Sequence, residues 1–189
     1  NIQGIQFLNK YRAEVYLKQN KPDLAIPIYD ALLQIDKKDS VAYILAEGYT
    51  FLSKAYTKKN KFIKAAKYLD SARIQASISQ NLSHQISIAS QQAKIYKNKQ
   101  QLGSGILELQ TILKNQHIDL FQESKKDLYK ELSELYTLNE DPKNALLSLN
   151  EHHRIKDSLR AILQKNKFNV IQSEFNYNEL SAKLEARDA

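Results

Sequence analysis

The fold is decided by a stretch that reads, over residues 51–72, FLSKAYTKKNKFIKAAKYLDSA. Its first half places Ala55 and Tyr56 on one apolar helix face, and a polar turn of lysine and asparagine follows. Its second half places Ala65 and Leu69 on another apolar face four residues apart. The stretch therefore predicts two amphipathic helices that are joined by a tight turn and pack against each other.

The same pattern returns every 40 residues along the chain. Four sets of residues coincide in this register: Tyr16, Tyr56, Tyr96 and Tyr136; Ala25, Ala65, Gly105 and Ala145; Tyr29, Leu69, Leu109 and Leu149; and Ala13, Ser53, Ala93 and Ser133. Pro22 and Pro142 mark the start of the second helix in the first and fourth units, because proline suits a first helical turn. Such a repeat predicts a stack of similar helical units with the four tyrosines buried in equivalent places.

Composition narrows the classes of function. The 189 residues include 4 Gly, 3 Pro and no Cys, which favours helix and excludes disulfides, thiolate metal sites and cysteine nucleophiles. The net charge is +7, but only five of the 28 basic residues are arginine and the lysines are dispersed. These features argue against a nucleic-acid ligand for this piece. Because the chain opens on Asn1 inside helical patterning, we expect it to be part of a longer protein.

Motifs for catalysis are absent from the sequence. It contains no P-loop, dinucleotide-binding, zinc-protease or nucleophile-elbow pattern. The only glycine cluster, at residues 103–105, falls at a hairpin turn. His152 and His153 are adjacent and therefore point to different helix faces, which is poor geometry for sharing a metal. We predict no catalytic residue, no metal ligand and no cofactor.

The repeat resembles the tetratricopeptide repeat over nearly residues 5–155, in its small residue, the tyrosine three positions later and the alanine opening the second helix. The family period is about 34 residues, so these units are longer. The resemblance implies an all-α, right-handed superhelix of four antiparallel helical hairpins. Their expected bounds are about 1–39, 40–80, 81–120 and 121–157, within a repeat region of 1–155, and a long C-terminal helix covers 156–189.

The C-terminal segment has two apolar stripes. One seam contains Leu159, Leu163, Val170, Tyr177, Leu180 and Leu184 together with the polar Asn166 and Ser173, and a second stripe contains Phe168, Ile171 and Phe175. Heptad spacing is compatible with a coiled-coil homodimer, in which a buried asparagine can set the register. Alternatively, the helix folds back and caps the last hairpin, because the ends of such arrays need a cover.

The end of the repeat region carries a narrower resemblance. Tyr136, the pair Ala145-Leu146, the run 155–159 and Tyr177 look like the corresponding stretch of bacterial signalling proteins. Those are membrane-anchored sensor histidine kinases and LuxR-type transcription regulators. The resemblance implies a non-catalytic sensor region on the periplasmic side, with a membrane span and an output domain, which could be a kinase, elsewhere in the protein. The alternative is a cytoplasmic scaffold or adaptor that binds a partner peptide.

The resemblance also implies a binding groove, because the first helices of such hairpins line the inner face. The equivalent positions are Lys10, Glu14, Lys18, Thr50, Lys54, Lys58, Ser90, Lys94, Lys97, Lys130 and Glu134. Lysines in the middle of this face suit an acidic peptide or another anion, although ordinary solvated lysines would look the same. Lys54 and Lys94 stand where some family members carry a carboxylate-binding asparagine.

Overall fold

The chain is all-α, as predicted. A computed structural model describes residues 2–39 and 42–187, and within these ranges there is no strand. The helices are α1 (Ile2–Lys18), α2 (Pro22–Asp39), α3 (Ala42–Lys58), α4 (Phe62–Ser79), α5 (Leu82–Asn98), α6 (Leu102–Leu113), α7 (Gln122–Leu138) and α8 (Pro142–Arg187). A 3₁₀ turn, Ile118–Phe121, precedes α7. None of the helices described is both long enough and apolar enough to cross a membrane.

The 40-residue period is visible in the backbone between the two helices of each hairpin. The residues with left-handed backbone at these turns are Asn20, Asn60, Gln100 and Glu140. In every case the next residue donates its N–H to the carbonyl oxygen of the repeat tyrosine, at 2.8 to 2.9 Å. The left-handed residue also donates to the carbonyl three residues before it. These are the two hydrogen bonds of a Schellman motif, which ends a helix and reverses the chain.

The second helices begin where the prolines predict. α2 starts at Pro22 and α8 at Pro142, where a missing N–H costs no intrahelical hydrogen bond. Asp141 caps α8, because its carboxylate accepts the N–H of Asn144 at 3.1 Å. α2 continues through Pro27 without ending.

Small residues bring the helices of each hairpin together. Ala13, Ser53, Ala93 and Ser133 are buried, and so are Ala25, Ala65, Gly105 and Ala145. Burial of the four repeat tyrosines was predicted, but only Tyr136 is buried, whereas the other three are half-buried. A phenol hydroxyl generally favours a position with access to a polar partner. The hydroxyl of Tyr136 has such a partner inside, because it accepts from Gln110 at 2.7 Å.

Successive hairpins stack through their helices. The first helix of each hairpin packs on the second helix of the hairpin before it, in the pairs α2–α3, α4–α5 and α6–α7. The ring of Tyr29 on α2 stacks on Phe51 of α3, with the centroids 4.9 Å apart. The first helices also contact one another in the pairs α3–α5 and α5–α7. One face of the array is therefore built from first helices, and this face positions the candidate site.

The last helix differs from the prediction. Residues 142–187 form one continuous helix, so the expected boundary at residue 155 lies inside α8. Ile155 is buried, whereas every side chain from residue 160 to 180 is exposed. The described side chains of the second stripe, at Phe168, Ile171 and Phe175, therefore do not cap the fourth hairpin, and that interpretation is wrong for this part of the chain. Without a glycine or proline, nothing in this segment stops the helix and turns it back.

Candidate functional site: a lysine-lined groove

A groove of about 520 Å³ lies on the face built from the first helices. Its lining comprises Glu14, Leu17, Lys18, Phe51, Lys54, Thr57, Lys58, Gln91 and Lys94. Five predicted site residues are therefore brought together: Glu14, Lys18, Lys54, Lys58 and Lys94. They come from α1, α3 and α5, because the 40-residue register aligns successive first helices side by side.

Lys54 is the central cation of the groove. Its ammonium donates to the Ser87 hydroxyl at 3.1 Å and lies 5.0 Å from the centroid of the Phe51 ring. Burial lowers the pKa of Lys54 below its usual value, and the charge of Lys94 lowers it further, against the opposing effect of Glu14 and other carboxylates. No carboxylate among the described residues forms an ion pair with Lys54. Lys54 is half-buried.

The rest of the groove is lined by apolar side chains and by the side-chain amide of Gln91. Leu17 and Phe51 supply the apolar surface. The Gln91 amide donates to the Thr57 hydroxyl at 2.7 Å, so α3 and α5 are joined beside Lys54. A ligand in this groove would therefore meet cations, an aromatic ring and a hydrogen-bonding amide within one cavity.

Lys94 has a carboxylate partner on the next hairpin. Its ammonium lies 2.8 Å from a carboxylate oxygen of Glu131 and donates to the Ser90 hydroxyl at 3.2 Å. Ser90 in turn donates to the same carboxylate oxygen at 2.9 Å. This cluster holds the ammonium of Lys94, which lines the groove, in place. On the side of the first hairpin, Lys58 donates to the side-chain oxygen of Asn20 at 3.3 Å.

The other predicted positions do not line the groove. Lys10 pairs with Glu47 at 2.7 Å, and Lys97 pairs with Glu134 at 2.9 Å. Lys130 is exposed on α7. Thr50 is buried, and its hydroxyl donates to the Ala46 carbonyl of its own helix at 2.7 Å. A threonine side chain in a helix commonly turns back in this way, so Thr50 is unsuited to contact a ligand.

Some lining residues were missed although the register contains them. Leu17 and Thr57 stand at the position of the predicted Lys97, two periods and one period earlier, respectively. Phe51 and Gln91 share one position, three residues before Lys54 and Lys94. Extending the position of Lys97 to the earlier units would have found Leu17 and Thr57, whereas no predicted residue shares the position of Phe51 and Gln91. The acidic partner Glu131 occupies the same position as Phe51 and Gln91, in the fourth unit.

The chemistry of the groove is that of an anion-binding surface. Four lysines face one carboxylate in the lining, and a desolvated ammonium is the group that gains most from an anion. Within the described part of the chain, no group of three histidine or acidic side chains could hold a metal ion. The groove contains no serine or histidine that could act as a nucleophile and base.

Comparisons with known proteins bear on the fold. No protein-family model matches the chain, and no curated protein matches it in sequence. Among solved structures, the chain is similar to BtubC (BKLC) from P. vanneervenii, at 15% sequence identity and a TM-score of 0.66. The match covers 85% of this chain and 66% of the BtubC chain. At this identity the likeness shows a shared helical fold and nothing about ligands.

Proposed function

We propose that this chain is a non-catalytic interaction region of the tetratricopeptide type, which binds an acidic peptide segment of a partner protein in the lysine-lined groove. The observation that carries the proposal is Lys54, a half-buried ammonium with no carboxylate bound to it. Burial makes such a charge costly, as its lowered pKa indicates. An anion in the groove would offset that cost with a charge-assisted hydrogen bond.

A peptide suits the groove better than a bare inorganic ion. The cavity of about 520 Å³ falls within the range of small-ligand sites, so it accommodates an acidic side chain together with neighbouring backbone. Leu17 and Phe51 offer apolar surface beside the cations, which a bare ion would leave uncovered. The groove also runs across three parallel elements, α1, α3 and α5, as an extended segment would.

We further propose that the region is the sensor part of a bacterial signal-transduction or transcription-regulatory protein, on the periplasmic side of a membrane. Support comes from the resemblance of the segment 136–177 to the ends of such repeat regions. The alternative is a cytoplasmic scaffold that uses the same groove. The gene would distinguish them, because the sensor requires a leader, a membrane span and an output domain that a scaffold lacks.

Peptide selection tests the proposal. A random peptide library is selected on the purified chain, and an enriched peptide is measured by fluorescence anisotropy. We expect enrichment of Asp and Glu, together with affinity that falls steeply between low and high salt because exposed charges are screened. Lys54→Met retains the stem over Phe51 and removes only the charge, so we expect at least a tenfold loss of affinity, about 1.4 kcal/mol.

The matched control is Lys130→Met, which removes a lysine charge outside the groove. We expect this variant to bind within about twofold of the parent chain, since a remote exposed charge contributes little at physiological salt. Equal binding by the parent and by Lys54→Met, or selection of neutral peptides, would refute the proposed groove. Circular dichroism of each variant verifies that the helices remain.

A further inference from the structure

The first and last helices of the described chain each expose an apolar outer face. In stacked repeats, faces of this kind are buried against a neighbouring unit. Here the outer side of α1 exposes Leu8, Tyr11 and Val15, and the outer side of α8 exposes Leu146 and Leu149. Each of these residues stands at a repeat position whose counterpart in an inner unit is buried or packed against a neighbouring hairpin.

The inner interfaces show which positions meet. At the first interface, the ring of Tyr29 stacks on Phe51. At the third interface, a Cβ added to Gly105 would lie 3.1 Å from Leu135. Shifted by the 40-residue period, the first pair becomes Leu149 with Tyr11, and the second becomes Ala145 with Val15.

The exposed fractions show that the apolar outer faces of α1 and of α8 are both accessible to solvent. Leu149 is 37% exposed, whereas its counterpart Leu109 is 0% exposed. Val15 is 47% exposed, whereas its counterpart Leu135 is 2% exposed. The difference arises because an inner unit is covered by a neighbouring hairpin and an end unit is not.

A cavity marks the place where a neighbour would lie on the last hairpin. It has a volume of about 500 Å³, and its lining comprises Ser133, Thr137, Glu140, Pro142, Ala145, Leu146 and Leu149. Both helices of the last hairpin contribute to it, as both helices of a unit do where the next first helix packs in the array. The cavity is therefore the vacant counterpart of the inner interfaces.

We propose that copies of this chain stack head to tail, with α1 of one copy seated on the α7–α8 hairpin of the next. Tyr11 of one copy then contacts Leu149 of its neighbour, and Val15 contacts Ala145. The occupant is a second copy because one chain carries both halves of an interface that it already forms three times within itself. The contact joins two different surfaces, so it leaves both outer ends free and grows into open chains.

Blocking one end at a time tests the proposal on the full 189-residue chain. Val15→Glu closes the α1 end, and Leu149→Glu closes the α8 end. In sedimentation velocity between about 10 μM and 1 mM, the parent should form a series of growing species. Each variant alone should stay monomeric, because its self-association should be at least tenfold weaker than that of the parent. Mixing the two variants should give a species of two copies and none larger, because each partner retains one open end.

Controls separate this contact from other associations. Ile63→Glu changes an apolar residue that is 75% exposed on α4, away from both ends, and should leave the growing series unchanged. Leu146→Glu alters the α8 end at a more exposed position and should act like Leu149→Glu even if the latter lowers stability. The proposal is overturned if the parent is monomeric throughout the range. It is also overturned if association stops at two copies and survives Val15→Glu, which would indicate pairing through the exposed part of α8.

Discussion

Replacing Gly48 with alanine tests how closely the first two hairpins pack. Gly48 lies in the middle of α3, and a Cβ built there would be 2.8 Å from Cδ2 and 3.1 Å from Cγ of Leu33 on α2. Such distances are well inside van der Waals contact, which begins near 3.5 Å for two carbon atoms. Leu33 is itself buried in the apolar cluster formed by α1, α2 and α3, so its side chain has little freedom to move.

Two effects of opposite sign decide the outcome. Alanine in place of glycine inside a helix stabilises by about 1 kcal/mol, because the unfolded chain loses freedom and helix propensity rises. Forcing a methyl group into a filled core costs about 1–3 kcal/mol. We therefore expect Gly48→Ala to lower the free energy of unfolding by up to about 2 kcal/mol, and a chain of this size loses about 2–4 °C in Tm per kcal/mol.

Thermal and urea unfolding by circular dichroism measure the change, and Gly103→Ala is the control. A Cβ at Gly103, in α6, would meet no atom within 4 Å, so this substitution gains helix propensity without a collision. Leu33→Ala should remove the collision and make Gly48→Ala neutral or favourable in that background, a coupling of about 1 kcal/mol or more. If Gly48→Ala stabilises as much as Gly103→Ala in the parent chain, the described contact between α2 and α3 is wrong.

Four further predictions follow from the same structure. Ala65→Leu should destabilise by about 1–3 kcal/mol in urea unfolding, because Ala65 is fully buried between helices, and an unchanged midpoint would exclude that packing. Lys54→Met should leave Tm unchanged or raise it, since it removes a partly desolvated charge, and a lower Tm would show that the ammonium stabilises the fold. Affinity for an acidic peptide should fall as pH rises through the lowered pKa of Lys54, below 10.5, because only the protonated amine attracts the anion. Calorimetry in two buffers of different ionisation enthalpy should detect proton uptake on binding in that pH window. The absence of proton uptake would indicate that another group binds the ligand. Deleting residues 167–189 should leave Tm within about 2 °C, because the side chains of residues 167–180 are exposed, and a fall in light-scattering mass from two copies to one would show that the seam of Val170 and Leu180 dimerises.

The hairpins were predictable because their determinants are local. A polar turn, a small residue and a large apolar residue recur at fixed intervals, and each determines the backbone within a few neighbours. The Schellman turns illustrate this, since the accepting carbonyl belongs to the repeat tyrosine itself, as Lys21 and Tyr16 show at 2.8 Å. The same register brought Lys54 and Lys94 to one groove, because equivalent residues of stacked units lie side by side.

Other features of the groove depend on partners far away in sequence, which periodicity does not reveal. The Lys94 charge is partly neutralised by Glu131, 37 residues later, which was not among the predicted groove positions. The Lys54 ammonium likewise donates to the Ser87 hydroxyl of α5, 33 residues later. The prediction that the C-terminal part of α8 caps the fourth hairpin failed for another reason. Apolar spacing predicts that a helix face will be covered, but it does not indicate which element covers it.

The most direct test of the proposed groove is an NMR titration that observes the side chain of Lys54. The chain is labelled with ¹³C at lysine Cε and aromatic positions, and Lys54→Met assigns the signal. On addition of a selected acidic peptide, we expect the Lys54 Cε signal and the Phe51 ring to shift most, and the pKa of Lys54 to rise towards its usual value because an anion stabilises the ammonium. Saturating binding that leaves both signals and that pKa unchanged would contradict the account and locate recognition outside the groove.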